Sequence, residues 1–410
     1  MVSYPKDWET VHLRDLLIPY GGLSGKNSSD FVGGNTKYIS YLDVFNNALV
    51  TSANSKVVIQ PGEKQNVVGN GDILFTQSSE TVEEVGMAST YIGKEEVYLN
   101  SFCFGSKKRR ELNSIFMVSL LRSKELREQI SKEGQGSTRY NLSPNRLMNI
   151  CVTIPPVPEQ QAIADALTAF DTHINNLAKL IEKKKMIRDG AVEDLVSGKR
   201  RLAGFSGEWE EYPFGKYFKK IGNNTFSRDD LSDRGNIGNI HYGDILTVYG
   251  PVLNSDDYIP RLRDDSFFSE MNSLSKNDVI IADTAEDETV GKVVQIGNVN
   301  IPIVSGLHTI ACRPNYHTAP RFLGYYMNSK RFHDQIMPFI TGIKVSSISK
   351  KSLDELKLYI PTSLTEQQAI ADILTVMDKE ISDLEKEKEK YMALKAGAMD
   401  DLLTGKIRLV

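Results

Sequence analysis

Apolar residues recur in alternating steps of four and three at Ile163, Leu167, Phe170, Ile174, Leu177 and Ile181. The same rhythm returns at Ile370, Leu374, Met377, Ile381 and Leu384, with polar and charged residues between. This is the a/d seam of a coiled coil and predicts two long amphipathic helices. Each starts after a proline, Pro158 or Pro361, with Glu159 or Glu366 early, where a carboxylate suits the helix dipole. Each approaches its end at Ser197-Gly198-Lys199 or Thr404-Gly405-Lys406, with Gly as the stop. About 40 residues at about 1.5 Å each make a rod of roughly 60 Å. Gly190 and Gly397 fall at the same place in both and predict close helix–helix approach there. Lys184 and Arg188 interrupt the first seam, and Tyr391 and Lys395 hold those places in the second.

The two segments are copies. Glu159–Leu202 aligns with Glu366–Leu409 without a gap, and about half of the paired positions are identical. A period of about two hundred residues is too long for a solenoid and predicts a duplicated two-part unit. Short β-branched and aromatic runs precede each helix. Lys56–Gln60, Gly71–Thr76, Val97–Phe104 and Ile150–Ile154 read as strands, and Ser114–Ile130 reads as one amphipathic helix. Trp209, Tyr242 and Asp244 match Trp8, Tyr41 and Asp43. Asn277–Ile281 matches Gly71–Phe75, and Gly342, Ser349, Leu353 and Ile360 match Gly136, Ser143, Leu147 and Ile154. The fold class is therefore α+β, with two mixed α/β domains separated by two long helices that form an antiparallel coiled coil. The expected division is 1–157, 158–204, 205–361 and 362–410. The helices stayed alike while the domains diverged, which fits one shared structural task and two separate recognition tasks.

Composition narrows the function. The 410 residues are 40% hydrophobic and 25% charged, ordinary for a globular protein of two or three domains. No apolar run reaches membrane-span length and MVSYPKDWETVHL is not a signal peptide, so a cytoplasmic protein is expected. Cys103, Cys151 and Cys312 read as reduced core residues. The six histidines show no metal spacing. Walker A, dinucleotide, HExxH and GxSxG motifs are absent, as is the Asn/Asp-Pro-Pro-aromatic motif of amino-methyltransferases. Asp72 and Asp278, with Glu80 and Glu286 a few residues on, could bind a metal. With no Lys or His placed beside them, they read instead as solvent-facing strand-end residues.

A net charge of −4 requires any nucleic-acid contact to come from local clusters. Lys107, Lys108, Arg109 and Arg110 form a dense basic run, either a phosphate contact or a solvated helix start. The loop from Gly134 carries Gln135, Ser137, Thr138, Arg139 and Asn141, whose Arg, Gln and Asn can pair bidentately with base edges; a plain flexible loop is the alternative. Its match, Thr341–Ser347, carries Lys344 and Ser346. Gln77 and Ser78 follow a strand, and Asp283 and Thr284 take those places in the second domain. Different side chains on one scaffold would read different bases.

The Glu-Gln-Gln-x-Ile-Ala segments at Glu159–Ala164 and Glu366–Ala371, their preceding prolines, the Asp-Leu-x-x-Gly-Lys ends, Gly71–Leu74 and Gly136–Thr138 together resemble the specificity subunit of type I restriction–modification enzymes, over essentially the full length. The resemblance implies a non-catalytic subunit in which each globular domain reads one half of a bipartite double-stranded DNA site. The helices would set the spacing and dock two modification subunits that methylate adenine N6. Restriction/translocase subunits would join through the complex. No cofactor is expected in this chain, with S-adenosylmethionine, ATP and Mg in the partner subunits. A rod of roughly 60 Å suits readers one to two DNA turns apart, at about 34–36 Å per turn. One departure is the acidic run Asp283–Glu288, with Asp256 and Asp264. It places the expected DNA face of the second domain elsewhere, at Lys330, Arg331, Lys344, Lys350 and Lys351. A coiled-coil scaffold and a self-contained DNA-modifying enzyme are the competing readings, and the missing methyltransferase motif disfavours the second.

Overall fold

In a computed structural model, which describes residues 4–264, 272–342 and 344–409, the two halves repeat one plan. In the first half a five-stranded sheet runs in the order Leu17–Gly21, Cys103–Lys108, Ile73–Thr76, Ala88–Tyr91, Leu49–Val50. In the second half the order is Phe218–Ile221, Thr309–Pro314, Val279–Ala282, Val293–Ile296, Val252–Leu253. In both, the last strand is parallel to its neighbour and the other pairs are antiparallel. The central strands Ile73–Thr76 and Val279–Ala282 are buried at every position, which is why they read as unbroken apolar runs rather than alternating ones. Each half also pairs its opening strand with its closing one, Glu9–His12 with Cys151–Ile154 and Trp209–Pro213 with Lys357–Pro361.

The two long helices span Val157–Val196 and Leu364–Leu403, 40 residues each, and pack together antiparallel. Both stop before the predicted boundary. Gly198 and Gly405 take φ of +72° and +71°. Arg200 N–H then reaches Asp194 O at 3.0 Å and Ile407 N–H reaches Asp401 O at 3.2 Å. This left-handed cap turns the chain back, so the last predicted helical residues form a short return segment.

The chain divides into two compact units, Met1–Leu177 with Glu387–Val410, and Ala178–Lys386. In the first unit Ile163, Ala164 and Leu167 share a core with Leu402 and Leu403, Phe116 and Leu147. Lys395 pairs with Asp171 at 2.5 Å, and the His173 ring lies 4.1 Å from that of Tyr391. In the second unit Ile370, Ala371 and Leu374 share a core with Val192, Leu195 and Val196, Phe322 and Leu353, with Met377 packed against it. Lys184 and Lys185 pair there with Glu380 and Glu385, and Arg188 with Asp378. Leu177 and Ile381 are buried, whereas Phe170, Ile174 and Leu384 are half-buried.

The recurring Glu-Gln-Gln has a physical explanation. Glu159 is fully buried and receives Trp8 Nε1–H at 3.2 Å and Arg408 at 2.5 and 2.8 Å. Glu366 receives Trp209 Nε1–H at 3.4 Å and Arg201 at 2.8 and 2.6 Å. Gln160 Oε1 accepts Asn113 N–H and its amide donates to Pro155 O, while Gln367 does the same with Ala319 and Pro361. Each carboxylate thus ties a helix start to its own domain's tryptophan and to the return segment of the other repeat. Each glutamine satisfies backbone groups that burial would otherwise orphan.

Several expectations are corrected. Gly190 and Gly397 are exposed, and a Cβ built on either meets nothing within 4 Å, so no close helix approach occurs there. The expected helix Ser114–Ile130 is two helices, Ser114–Leu121 and Lys124–Lys132, because Ser123 Oγ caps the second by accepting from Leu126 N–H. Val97–Phe104 divides into Tyr98–Leu99 and Cys103–Lys108, and Lys56–Gln60 shortens to a strand at Ser55–Val57. Cys103 and Cys312 are buried, with thiol pKa values pushed up to about 12 by burial, but Cys151 is exposed, its Sγ 3.4 Å from His12 Nδ1. Asp72 and Asp278 are buried rather than solvent-facing. Tyr20 O–H donates to Asp72 at 2.7 Å, and Arg313 grips Asp278 at 2.8 and 2.7 Å.

Candidate nucleic-acid interface

Beyond Thr76 the chain leaves the central sheet. Gln77 N–H bonds Phe102 O at 2.8 Å, and Ser78–Ser79 pairs with Tyr140–Asn141. Gln135 and Asn141 exchange both backbone hydrogen bonds at 2.9 and 2.8 Å, closing the loop between them. That closure needs glycine at 136, where φ is +142° and a Cβ would lie 1.8 Å from Arg139 O. The exposed tip therefore holds Ser137, Thr138 and Arg139 on a fixed base beside Ser78.

Arg139 also lines a cavity of about 390 Å³ with Tyr41, Leu42, Phe45, Ser78, Ser79, Glu80, Glu84 and Phe102. Tyr41 O–H donates to Ser78 O at 2.7 Å and its ring stacks on Phe45 at 5.9 Å. Phe102 is 58% exposed and Leu42 63%, unusual for large apolar groups unless something covers them. The recess combines planar apolar faces that suit the stacking of bases with one guanidinium, hydroxyls and the carboxylates of Glu80 and Glu84. Among the described residues no cluster of three or more His, Cys, Asp or Glu is placed to hold a metal ion. No helix among them is long and apolar enough to cross a membrane.

The second domain rebuilds this hairpin with other side chains. Thr284–Ala285 pairs with Ser346–Ser347, and Thr341 and Ser347 exchange backbone bonds at 3.0 and 2.8 Å. Gly342 has φ +118°, and a Cβ there would meet Val345 O at 1.9 Å. Lys344 is exposed on this loop, and Ile343 lies outside the described residues. Asp283 N–H bonds His308 O at 3.1 Å, as Gln77 bonds Phe102. His241 stands where Ser40 stands, each accepting from a backbone N–H at the start of a short helix. Burial and the neighbouring Arg228 guanidinium hold the His241 pKa below its ordinary value. Arg228 grips Asp244 at 3.0 and 2.8 Å. Lys350 Nζ reaches Asn223 Oδ1 at 3.4 Å, and Asn223 in turn donates to Gly306 O.

The structure thus brings Gln77, Ser78, Gln135, Ser137, Thr138, Arg139 and Asn141 together, and likewise Lys344, Ser346 and Lys350. It separates the basic run from them. Lys107 and Lys108 pair with Ile18 and Leu17 at the far end of the strand that starts at Cys103, about 17 Å along at about 3.4 Å per residue. Arg109 donates to Arg14 O and Arg110 pairs with Glu9. Lys330 pairs with Asp334, and Arg331 stacks on Tyr359 and donates to Ser197 O at the end of the first long helix, away from this edge. The acidic run begins beside this hairpin, at Asp283, whose carbonyl accepts from Ile348 N–H at 2.9 Å. Tyr41, Phe45, Phe102, Tyr242 and His308 were not singled out in the sequence as contact candidates. Tyr41 and Tyr242 recur at matched places, but Phe102 sits in an apolar run that reads as buried strand. A larger cavity, about 850 Å³, lies beside Val192, Tyr249, Tyr325 and Met337 and includes none of these loop residues.

Comparison with known proteins agrees with this architecture. The family model for the type I restriction modification DNA specificity domain matches twice, at residues 5–184 and 206–391. Two relatives from Methanocaldococcus jannaschii, named as the type I restriction enzyme MjaX and MjaVIII specificity subunits, are 26% and 24% identical. Those matches cover 99% of this chain and 95% and 94% of the relatives. The crystal structure of the type I restriction–modification S subunit from M. genitalium superposes with a TM-score of 0.57 at 17% identity, covering 96% of each chain. A chain from a structure on complex assembly and conformational transition of the type I restriction–modification system superposes at 0.59 and 16% identity, covering 99% of this chain and 100% of that one. The duplicated match, the paired helices and the two matched hairpins have one conclusion: this chain belongs to the type I restriction–modification DNA specificity family, the non-catalytic subunits that give these systems their DNA sequence specificity.

Proposed function

We propose that each globular domain reads one half of a bipartite double-stranded DNA site, and that the helices fix the separation of the readers and dock two adenine-N6 methyltransferase subunits. The four-part division 1–157, 158–204, 205–361 and 362–410 belongs to this reading. The observation that carries it is the pair of matched hairpins, with Ser78, Phe102 and Arg139 at one and Thr284, His308 and Lys344 at the other. One scaffold with unlike side chains is what two different half-sites require, since base edges are told apart by donor and acceptor pattern. Gln77, Ser78, Gln135, Ser137, Thr138, Arg139 and Asn141 are the contacts assigned to the first half-site, and Lys344, Ser346 and Lys350 to the second. Lys107 to Arg110 take no part in base reading. S-adenosylmethionine, ATP and Mg belong to the partner subunits, including restriction/translocase subunits where present.

The test is a domain exchange. The complete chain carrying residues 1–157 of a relative, expressed with its modification partner, is mapped for N6-methyladenine. One half of the methylated site should change while the other half and the spacing stay. A change in both halves together, or in neither, refutes the modular reading.

A further inference from the structure

We propose that His308 is a specificity-determining residue of the second domain, and that its Nε2 lone pair selects a base bearing an exocyclic amino group, adenine or cytosine, over a keto base. This rests on the reading that the second domain binds one half-site. The argument is a proton count. Thr284 Oγ1–H donates to Asp283 Oδ1 at 2.8 Å, so the hydroxyl has only lone pairs left for its other neighbour. That neighbour is His308 Nδ1, at 3.3 Å, which must supply the proton. Asp283 Oδ1, 3.5 Å from the same nitrogen, favours the same arrangement. A neutral imidazole protonated at Nδ1 has a bare acceptor at Nε2. Neighbours fix the tautomer here as they do for metal-bound histidines.

The ring is also held in place. Its backbone takes φ +54°, a conformation uncommon outside glycine and concentrated at functional sites. Tyr242 packs edge-on at 5.3 Å and 81°. Yet the side chain stays 47% exposed, at the edge where Thr284 pairs with Ser347. A locked, exposed, single acceptor is a poor structural investment and a good reader. In the major groove adenine N6 and cytosine N4 donate, whereas guanine O6 and thymine O4 accept and would face the Nε2 lone pair with like charge. The matched residue of the first domain is Phe102, which has no acceptor, so this discrimination belongs to one half-site only.

The test uses the full chain assembled with its modification subunits. Duplexes carry, one position at a time in the second half-site, a base stripped of its amino group (purine for adenine, pyrimidinone for cytosine). The wild-type complex should lose about tenfold in affinity at one position, the scale of one base contact. With His308→Phe that position should show no further loss and should become permissive in the methylation map, while the first half-site, read by the same chain, serves as the folding control. The double variant Asp283→Leu/Thr284→Val keeps the ring but removes both groups that hold the proton on Nδ1, so a keto base should become tolerated at the same position. If amino deletion at every position affects wild type and His308→Phe alike, or if the double variant leaves amino/keto discrimination intact while the first half-site is still read, the assignment is wrong while half-site reading stands. If domain exchange also fails to change one half-site, the underlying reading falls with it.

Discussion

Substituting Gly190 or Gly397 by alanine should stabilise this protein, although both glycines recur at the same place in the repeat. The structure fixes the sign. Both are exposed, both lie inside a 40-residue helix, and a Cβ at either meets nothing within 4 Å. No contact is lost, and the unfolded chain loses conformational freedom. The magnitude is the helix-interior difference between the two residues, about 0.8–1.0 kcal/mol each. Gly190 falls in the second compact unit and Gly397 in the first. Each substitution therefore acts on a different unit, and for a unit of this size about 1 kcal/mol corresponds to a shift of roughly 2–4 °C in Tm. Differential scanning calorimetry of the two single variants and the double variant reads this directly. With no shared partner and different units affected, the double variant should show both shifts, each of about 1 kcal/mol on its own unit. Gly405→Ala is the opposing control. Its φ is +71°, and its Cβ would fall 2.5 Å from Pro5. It should therefore lower stability, by at least about 1 kcal/mol. A fall in Tm for Gly190→Ala or Gly397→Ala would refute the reasoning and show that the helix needs flexibility there.

Two further outcomes follow from the buried charges and from His241. Arg201→Met strips the almost fully buried Glu366 carboxylate of its bidentate partner, leaving Trp209. Orphaning a buried charge costs about 3–5 kcal/mol, and partial exposure of Arg201 moves the expectation to about 2–3 kcal/mol in a denaturant titration. Adding Glu366→Gln should recover part of that loss; an additive double variant would contradict the pairing. The depressed pKa of His241 means that the unfolded chain binds the proton more readily than the folded one. Its contribution is fully present above the ordinary histidine value of about 6.5 and is lost as pH falls through the folded-state value. His241→Asn, which keeps a cap acceptor, should show a shallower fall in Tm between pH 7.5 and 5.5, and an unchanged slope would contradict the assignment.

The long helices and the duplication were legible because the heptad rhythm and the Glu-Gln-Gln copies are local patterns. What those copies do was not. Glu159 meets Arg408 across 249 residues of sequence and Glu366 meets Arg201 across 165, and no spacing rule connects such pairs. The Gly190/Gly397 coincidence misled because recurrence suggested a packing constraint where the structure has open solvent. Asp72 and Asp278 were read as exposed because the groups that satisfy them, Tyr20 two strands away and Arg313 on the neighbouring strand, lie beyond the reach of a local reading. The polar loop from Gly134 was legible, though not its closure by the Gln135–Asn141 backbone pair. The exposure of Phe102 and the place of Tyr41 beside that loop were not, since aromatic residues in apolar runs signal burial until a surface shows otherwise.

The first unit has a consequence for synthesis. Its core needs Leu402 and Leu403, and Glu159 waits for Arg408, so the domain that leaves the ribosome first is finished by a residue translated 249 positions later. The unit formed by Ala178–Lys386 is one continuous stretch and has everything it needs earlier. Maturation therefore runs against the usual N-terminal-first order. A product stalled after Lys386 would carry a completed second unit and an unclosed first one.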